Sequence, residues 1–214
     1  MDENDTIKQK DEERPTVKFS NLLRNSKHKD QLTMESTETV INNNTENIPR
    51  IPSQAYVIAE IVKSCNYKRY LELGIRWGET YKYIKPFVDK AIGVDITDVD
   101  FIDENSFFCM TTDDFFSRTK EKFDVIFIDA CHEYEQVKKD LVNAVKCLEK
   151  GGTIFLHDTD PYSEEYMQEI FCGDSYKMND FLSKSDEYQF VTIPLDESGL
   201  TIVRMKNDNR FESF

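Results

Sequence analysis

From Ile51 onward, short apolar runs alternate with stretches of helical spacing, and four of the five runs end at a glycine or an acid: "RYLELG", "KAIGVD", "FDVIFID" and "TIFLHD", with "SFFCMT" as the fifth. Such runs are strand-length and too short for ordinary helices. Between them lie "PSQAYVIAEIVKSC", which has Ser53 as its expected N-cap, "GETYKYIKPFV", bent by Pro86, and "YEQVKKDLVNAVKCLEK", closed by Gly151–Gly152. Strands that alternate with helices pair in parallel and are covered on both faces. After the fifth run "SEEYMQEIF" is a further helix candidate; "YQFVTIPL" and "LTIVRMK" follow with only "DESG" between them, so one edge is expected to turn antiparallel. The expected class is α/β: a doubly wound sheet, mostly parallel, with an antiparallel final strand.

The 214 residues suffice for one domain, placed at 49–208, with a short tail at 209–214. Residues 1–48 are polar and lack glycine, and are expected to form a disordered or loosely docked arm; "VKFSNLLR" is its one candidate helix. Net charge is −14, which argues against nucleic acid and anionic membrane surfaces as partners. Five cysteines without a CxxC argue against a disulfide framework or a cysteine zinc site. A polar N-terminus and no apolar run near the roughly 20 residues of a membrane span point to the cytoplasm.

In a doubly wound sheet, ligands sit beyond the carboxyl ends of the strands. Those ends carry the candidate chemistry. "LELGIRWGET" places Glu72, Gly74 and Gly78 in a strand-to-helix turn where the backbone can approach a ligand closely. The flanking acids Glu72 and Glu79 suit a zwitterion or a cation better than a phosphate. Asp95 in "GVDI" ends the next strand, about where an acid takes both ribose hydroxyls. Asp113 in "MTTDDFF" is a candidate acceptor for an adenine amino group, or an ordinary turn residue. "FIDACHEY" supplies Asp129 and His132, and "FLHDTDP" supplies His157 and Asp158. Neighbouring strand ends are ~5 Å apart, so these four side chains can converge. Cys131 is expected to be a small buried thiol rather than a nucleophile. Trp77 either packs on a ligand or belongs to the core.

"ELGIRWG", "GVDI" and the closing strand pair resemble the class I S-adenosylmethionine-dependent methyltransferases, which have a Rossmann-like sheet. "FIDACHEYEQVKKDL" with "GGTIFLHDTDP" is similar to a subfamily that methylates hydroxyls of sugars and natural products, some of whose members need a divalent metal. The resemblance implies S-adenosylmethionine as cofactor, held by Glu72, Gly74, Gly78, Asp95 and Asp113, and a small-molecule or sugar acceptor. It implies His132 or His157 as the base, Asp129 beside it, and Asp129 with Asp158 as ligands for Mg²⁺ if one is used. Relatives often carry a second acid where Cys131 stands. Two other readings compete: a non-catalytic binding or assembly module of the same fold, and a nucleotide-dependent oxidoreductase. The absence of GxGxxG argues against the latter.

Overall fold

The computed structural model describes residues 51–206, so the arm at 1–48 and the tail at 209–214 lie outside the described residues. Among the described residues no helix is long and apolar enough to cross a membrane. The elements are α1 (Ser53–Cys65), β1 (Arg69–Leu73), α2 (Glu79–Ile84), β2 (Lys90–Asp95), β3 (Phe107–Cys109), α3 (Thr112–Arg118), β4 (Phe123–Ile128), α4 (Tyr134–Cys147), β5 (Leu148–His157), α5 (Met178–Ser183), β6 (Tyr188–Ile193) and β7 (Leu200–Met205). They build one sheet of order β3-β2-β1-β4-β5-β7-β6. Strands β1 to β5 pair in parallel, and β7 runs antiparallel to both β5 and β6.

Alternate residues of each central strand face opposite sides. Leu71, Leu73, Ile126, Ile128, Ile154 and Leu156 pack with α4 through Val137, Leu141 and Ala144. Tyr70, Val125, Phe127 and Phe155 pack with α1 and α2 through Ile58, Val62, Tyr81 and Ile84. With both faces covered, only the strand ends are left for function. At the opposite edge, Asp124 Oδ2 accepts the Lys68 and Arg69 amides at 2.8 and 2.9 Å and fixes where β1 enters.

Three local expectations change. Pro52 takes the N-cap position of α1, with Ser53 as its first helical residue. Helix α4 ends at Cys147 instead of at the glycine pair, because β5 begins at Leu148, beside Phe123. The pairing then shifts register, and Gly151 and Gly152 lie within β5. The stretch "SEEYMQEIF" forms only a short 3₁₀ turn over Glu164–Met167.

Asp140 lies among the apolar residues of α4 and is fully buried. Burial pushes its carboxyl up to about 6, against the hydrogen bonds from Thr112 and Gln136. An unfolded aspartate titrates near 3.9. The native state therefore holds this proton more tightly, and the stability it confers below about pH 4 is lost as pH rises through about 6. Two units correspond to about 3 kcal/mol at most. Denaturant unfolding should show Asp140→Asn gaining about 2 kcal/mol relative to wild type between pH 4 and pH 7.5. A pH-independent difference would exclude the buried carboxylate as the cause.

Candidate active site

Strand order reverses between β1 and β4, and a cavity of about 820 Å³ opens at their carboxyl ends. Its floor is the turn after β1. Gly74 has φ 87°, and a Cβ there would lie 2.2 Å from the Asp129 carbonyl oxygen. The Gly74 amide donates to Val94 O and the Asp129 amide to Leu73 O, both at 2.8 Å, so the exits of β1, β2 and β4 are tied together. Gly78 has φ 72° and opens α2, with the Phe101 ring 2.3 Å from where its Cβ would be. Trp77 is 67% exposed and lines the cavity, so it does not belong to the core.

Asp95 ends β2, but its carboxylate turns back on the protein. Oδ2 accepts the Ile75 and Arg76 amides at 2.7 and 3.0 Å, and Oδ1 accepts the Thr97 amide at 2.8 Å. A carboxylate offers about four acceptor positions, so Asp95 shapes the glycine turn first and keeps little capacity for a ligand. Glu72 also lines the cavity yet is 2% exposed. Burial holds its carboxyl well above the usual range; the Tyr70 hydroxyl, which donates to Oε2, opposes this, while Asp129 and Glu79 reinforce it.

Four side chains meet over β4 and β5. His157 Nδ1 lies 3.0 Å from Asp129 Oδ1 and 3.3 Å from Asp158 Oδ1, and its Nε2 lies 3.2 Å from the Ser198 hydroxyl. Burial disfavours its charged form, but the Asp129 and Asp158 carboxylates outweigh that and hold His157 well above its ordinary value. His132 Nε2 lies 3.0 Å from Asp158 Oδ2. The His132 carbonyl accepts the Asp174 amide and the Ser175 hydroxyl, both at 3.0 Å, so the segment before α5 fixes the loop after β4. Asp158 is 6% exposed and adopts φ 59°. Burial alone would raise its carboxyl, yet His157, His132 and Cys172 pull it below the usual range. The Cys172 thiol donates to Asp158 Oδ1 at 3.6 Å, and burial with that carboxylate pushes it up to about 12. Asp129, His132 and Asp158 each offer a ligand atom, all within 4.8 Å of one another, a donor set that fits a divalent cation.

Beside this cluster a second cavity, of about 320 Å³, lies between the end of β2 and the starts of α3 and α4. Val94, Ile96, Met110 and Ala130 give it apolar walls, and Asp95, Asp113 and Gln136 give it polar edges. Such a slot suits a nucleoside. Asp113 Oδ2 is taken by Lys139 at 2.6 Å, while Oδ1 is buried with no hydrogen-bond partner among the described residues. Cys131 is only half-buried and lines this cavity rather than the core.

Sequence reasoning missed Ser198, Cys172 and Gln136. Ser198 and Cys172 carry no pattern that would mark them. Gln136 is legible in retrospect through Asp140, a charged residue at i+4 on an otherwise apolar helix face.

Residues 56–159 match the family described as a methyltransferase domain. No curated protein matches the chain. Among solved structures, a candidate caffeoyl-CoA O-methyltransferase from Staphylococcus aureus aligns at 17% identity and TM-score 0.57, over 71% of this chain and 82% of that one. The SAH-bound methyltransferase PaMTH1 from Podospora anserina aligns at 16% and 0.54, over 72% and 78%. An O-methyltransferase from Bacillus cereus in complex with SAH aligns at 13% and 0.55, over 75% and 85%. At such identities the likeness is one of fold; the strand order agrees with it, and the match to a methyltransferase domain spans just under half of the chain.

Proposed function

We propose that the chain methylates a hydroxyl group of a small molecule or sugar, with S-adenosylmethionine as donor. The observation that carries this is the placing of His132 and its Asp158 partner in the same cavity as the glycine turn. Two of the neighbours above are O-methyltransferases by name, one of them crystallised with SAH, which supports the choice of an oxygen acceptor and of the donor.

When bound, the donor supplies an electrophilic methyl carbon. The remaining work falls to the chain. Gly74 and Gly78 keep the turn free of side chains, and the apolar slot receives the nucleoside half. An alcohol is a weak nucleophile until its proton has somewhere to go. His132 faces the cavity and takes that proton, while Asp158 holds the ring and stabilises the imidazolium that results. His157 is poorly suited to the same role, since a ring that already carries its proton between two carboxylates has no lone pair to offer. It steadies Asp129 and Asp158 instead. A Mg²⁺ ion would be held by Asp129 and Asp158, with His132 within reach, and would lower the pKa of a bound hydroxyl.

Calorimetry with S-adenosylhomocysteine, followed by turnover over a panel of hydroxylated acceptors with and without Mg²⁺, tests the proposal. We expect binding and product formation, with His132→Ala losing about 10²-fold or more in turnover. Absence of binding would remove the donor. Binding without product across the panel would favour a non-catalytic module.

A further inference from the structure

We infer that Gln136, locked in place by the buried carboxylate of Asp140, reads the 6-amino edge of the donor's adenine. The inference rests on S-adenosylmethionine being the donor, and it adds a specificity residue that the strand-end motifs do not contain.

Gln136 edges the smaller cavity from the first turns of α4. Its Nε2 donates to Asp140 Oδ1 at 3.0 Å and to Thr112 Oγ1 at 3.2 Å. A side-chain amide has two N–H groups, and both are spent on the protein. What remains for the cavity is the carbonyl, an acceptor only. Turning the amide over would place Oε1 against the Asp140 carboxylate, acceptor against acceptor. The orientation is thus set by charge as well as by packing, which is seldom so for an amide.

An acceptor at the edge of an apolar, purine-sized slot selects a ring that carries an exocyclic amino group, and it rejects an oxo group at the same place. Asp113, the acid expected there from the sequence, has Lys139 on its Oδ2 and leaves Oδ1 as the competing acceptor that the variants below tell apart from Gln136. Asp140 costs the fold something: it is fully buried, and its Oδ2 has no hydrogen-bond partner among the described residues. Fixing the face that Gln136 shows to the slot is a return for that cost. Asp140 is thereby a positioning residue, acting only through Gln136.

The test compares the affinity of S-adenosylhomocysteine with that of S-inosylhomocysteine, its 6-oxo analogue, by calorimetry at pH 8, where Asp140 is ionised. Wild type should prefer the adenosyl compound by at least about tenfold. Gln136→Leu and Asp140→Leu should each reduce that ratio to within about threefold. The ratio does not depend on the folded fraction, so a merely structural role for Asp140 would leave it unchanged. A ratio that persists in Gln136→Leu, or that collapses only in Asp113→Ala, overturns the inference. Failure of wild type to bind either compound would instead remove the donor, a result distinct from binding without discrimination.

Discussion

Asp158→Ala is expected to lower methyl-transfer turnover by about 10³-fold or more while changing the affinity for S-adenosylhomocysteine less than about threefold. Asp158 is the point where the cluster converges. One oxygen meets His132, and the other meets both His157 and the Cys172 thiol. Without it, the proposed base loses its orienting partner, and His157 keeps Asp129 as its one carboxylate with Ser198 on its other nitrogen. The proposed nucleoside slot is lined by other residues, so binding should survive. The backbone needs a control, because φ is 59° and alanine in that region costs about 1–2 kcal/mol. Asp158→Gly removes the same carboxylate on a backbone that accepts this conformation. Stopped assays on both variants, beside their thermal unfolding, separate the two effects. If the glycine variant turned over at near wild-type rate, Asp158 would have no chemical role.

The element order is readable because each central strand is an apolar run cut off by glycine or acid, and the same residues mark the carboxyl edge. Asp129, His132, His157 and Asp158 are recognisable as a group for that reason: strand ends that neighbour each other in a sheet bring their terminal residues together. Their division of labour is not readable. His132 and His157 look alike in the sequence and line the same cavity, but His157 lies between two carboxylates while His132 meets one. Asp95 shows the same limit. Its place at the end of β2 follows from the pattern, whereas its turn back onto the Ile75 and Arg76 amides depends on a loop whose path no local propensity encodes. The Gly151–Gly152 pair reads wrongly as a helix stop because glycine is a good C-cap signal, and the pairing of Leu148 with Phe123 outweighs it.

Gly74→Val should abolish detectable S-adenosylhomocysteine binding and lower the unfolding free energy by about 3 kcal/mol or more. Two costs add. A β-branched residue at φ 87° is strained by about 1–2 kcal/mol. Its Cβ would also meet backbone: Asp129 O at 2.2 Å, Asp129 C at 2.5 Å and Ala130 Cα at 2.7 Å. None of these atoms can rotate away, so the overpacking penalty of about 1–3 kcal/mol applies in full. Gly93→Ala is the matched control. Its Cβ would meet the flexible end of Ile75 at 2.9 Å, and the expected cost is about 1 kcal/mol or less. The contact in Gly74→Val falls on the residue that begins the reaction cluster. Relief requires the exits of β1 and β4 to part, which stretches the hydrogen bond from the Asp129 amide to Leu73 O and moves Asp129 relative to His157. The proposed donor site and the proposed reaction cluster therefore share one piece of backbone, and damage to the turn should reach turnover as well as binding. Wild-type affinity in a folded Gly74→Val protein would mean that the donor lies elsewhere and that this cavity has been misassigned.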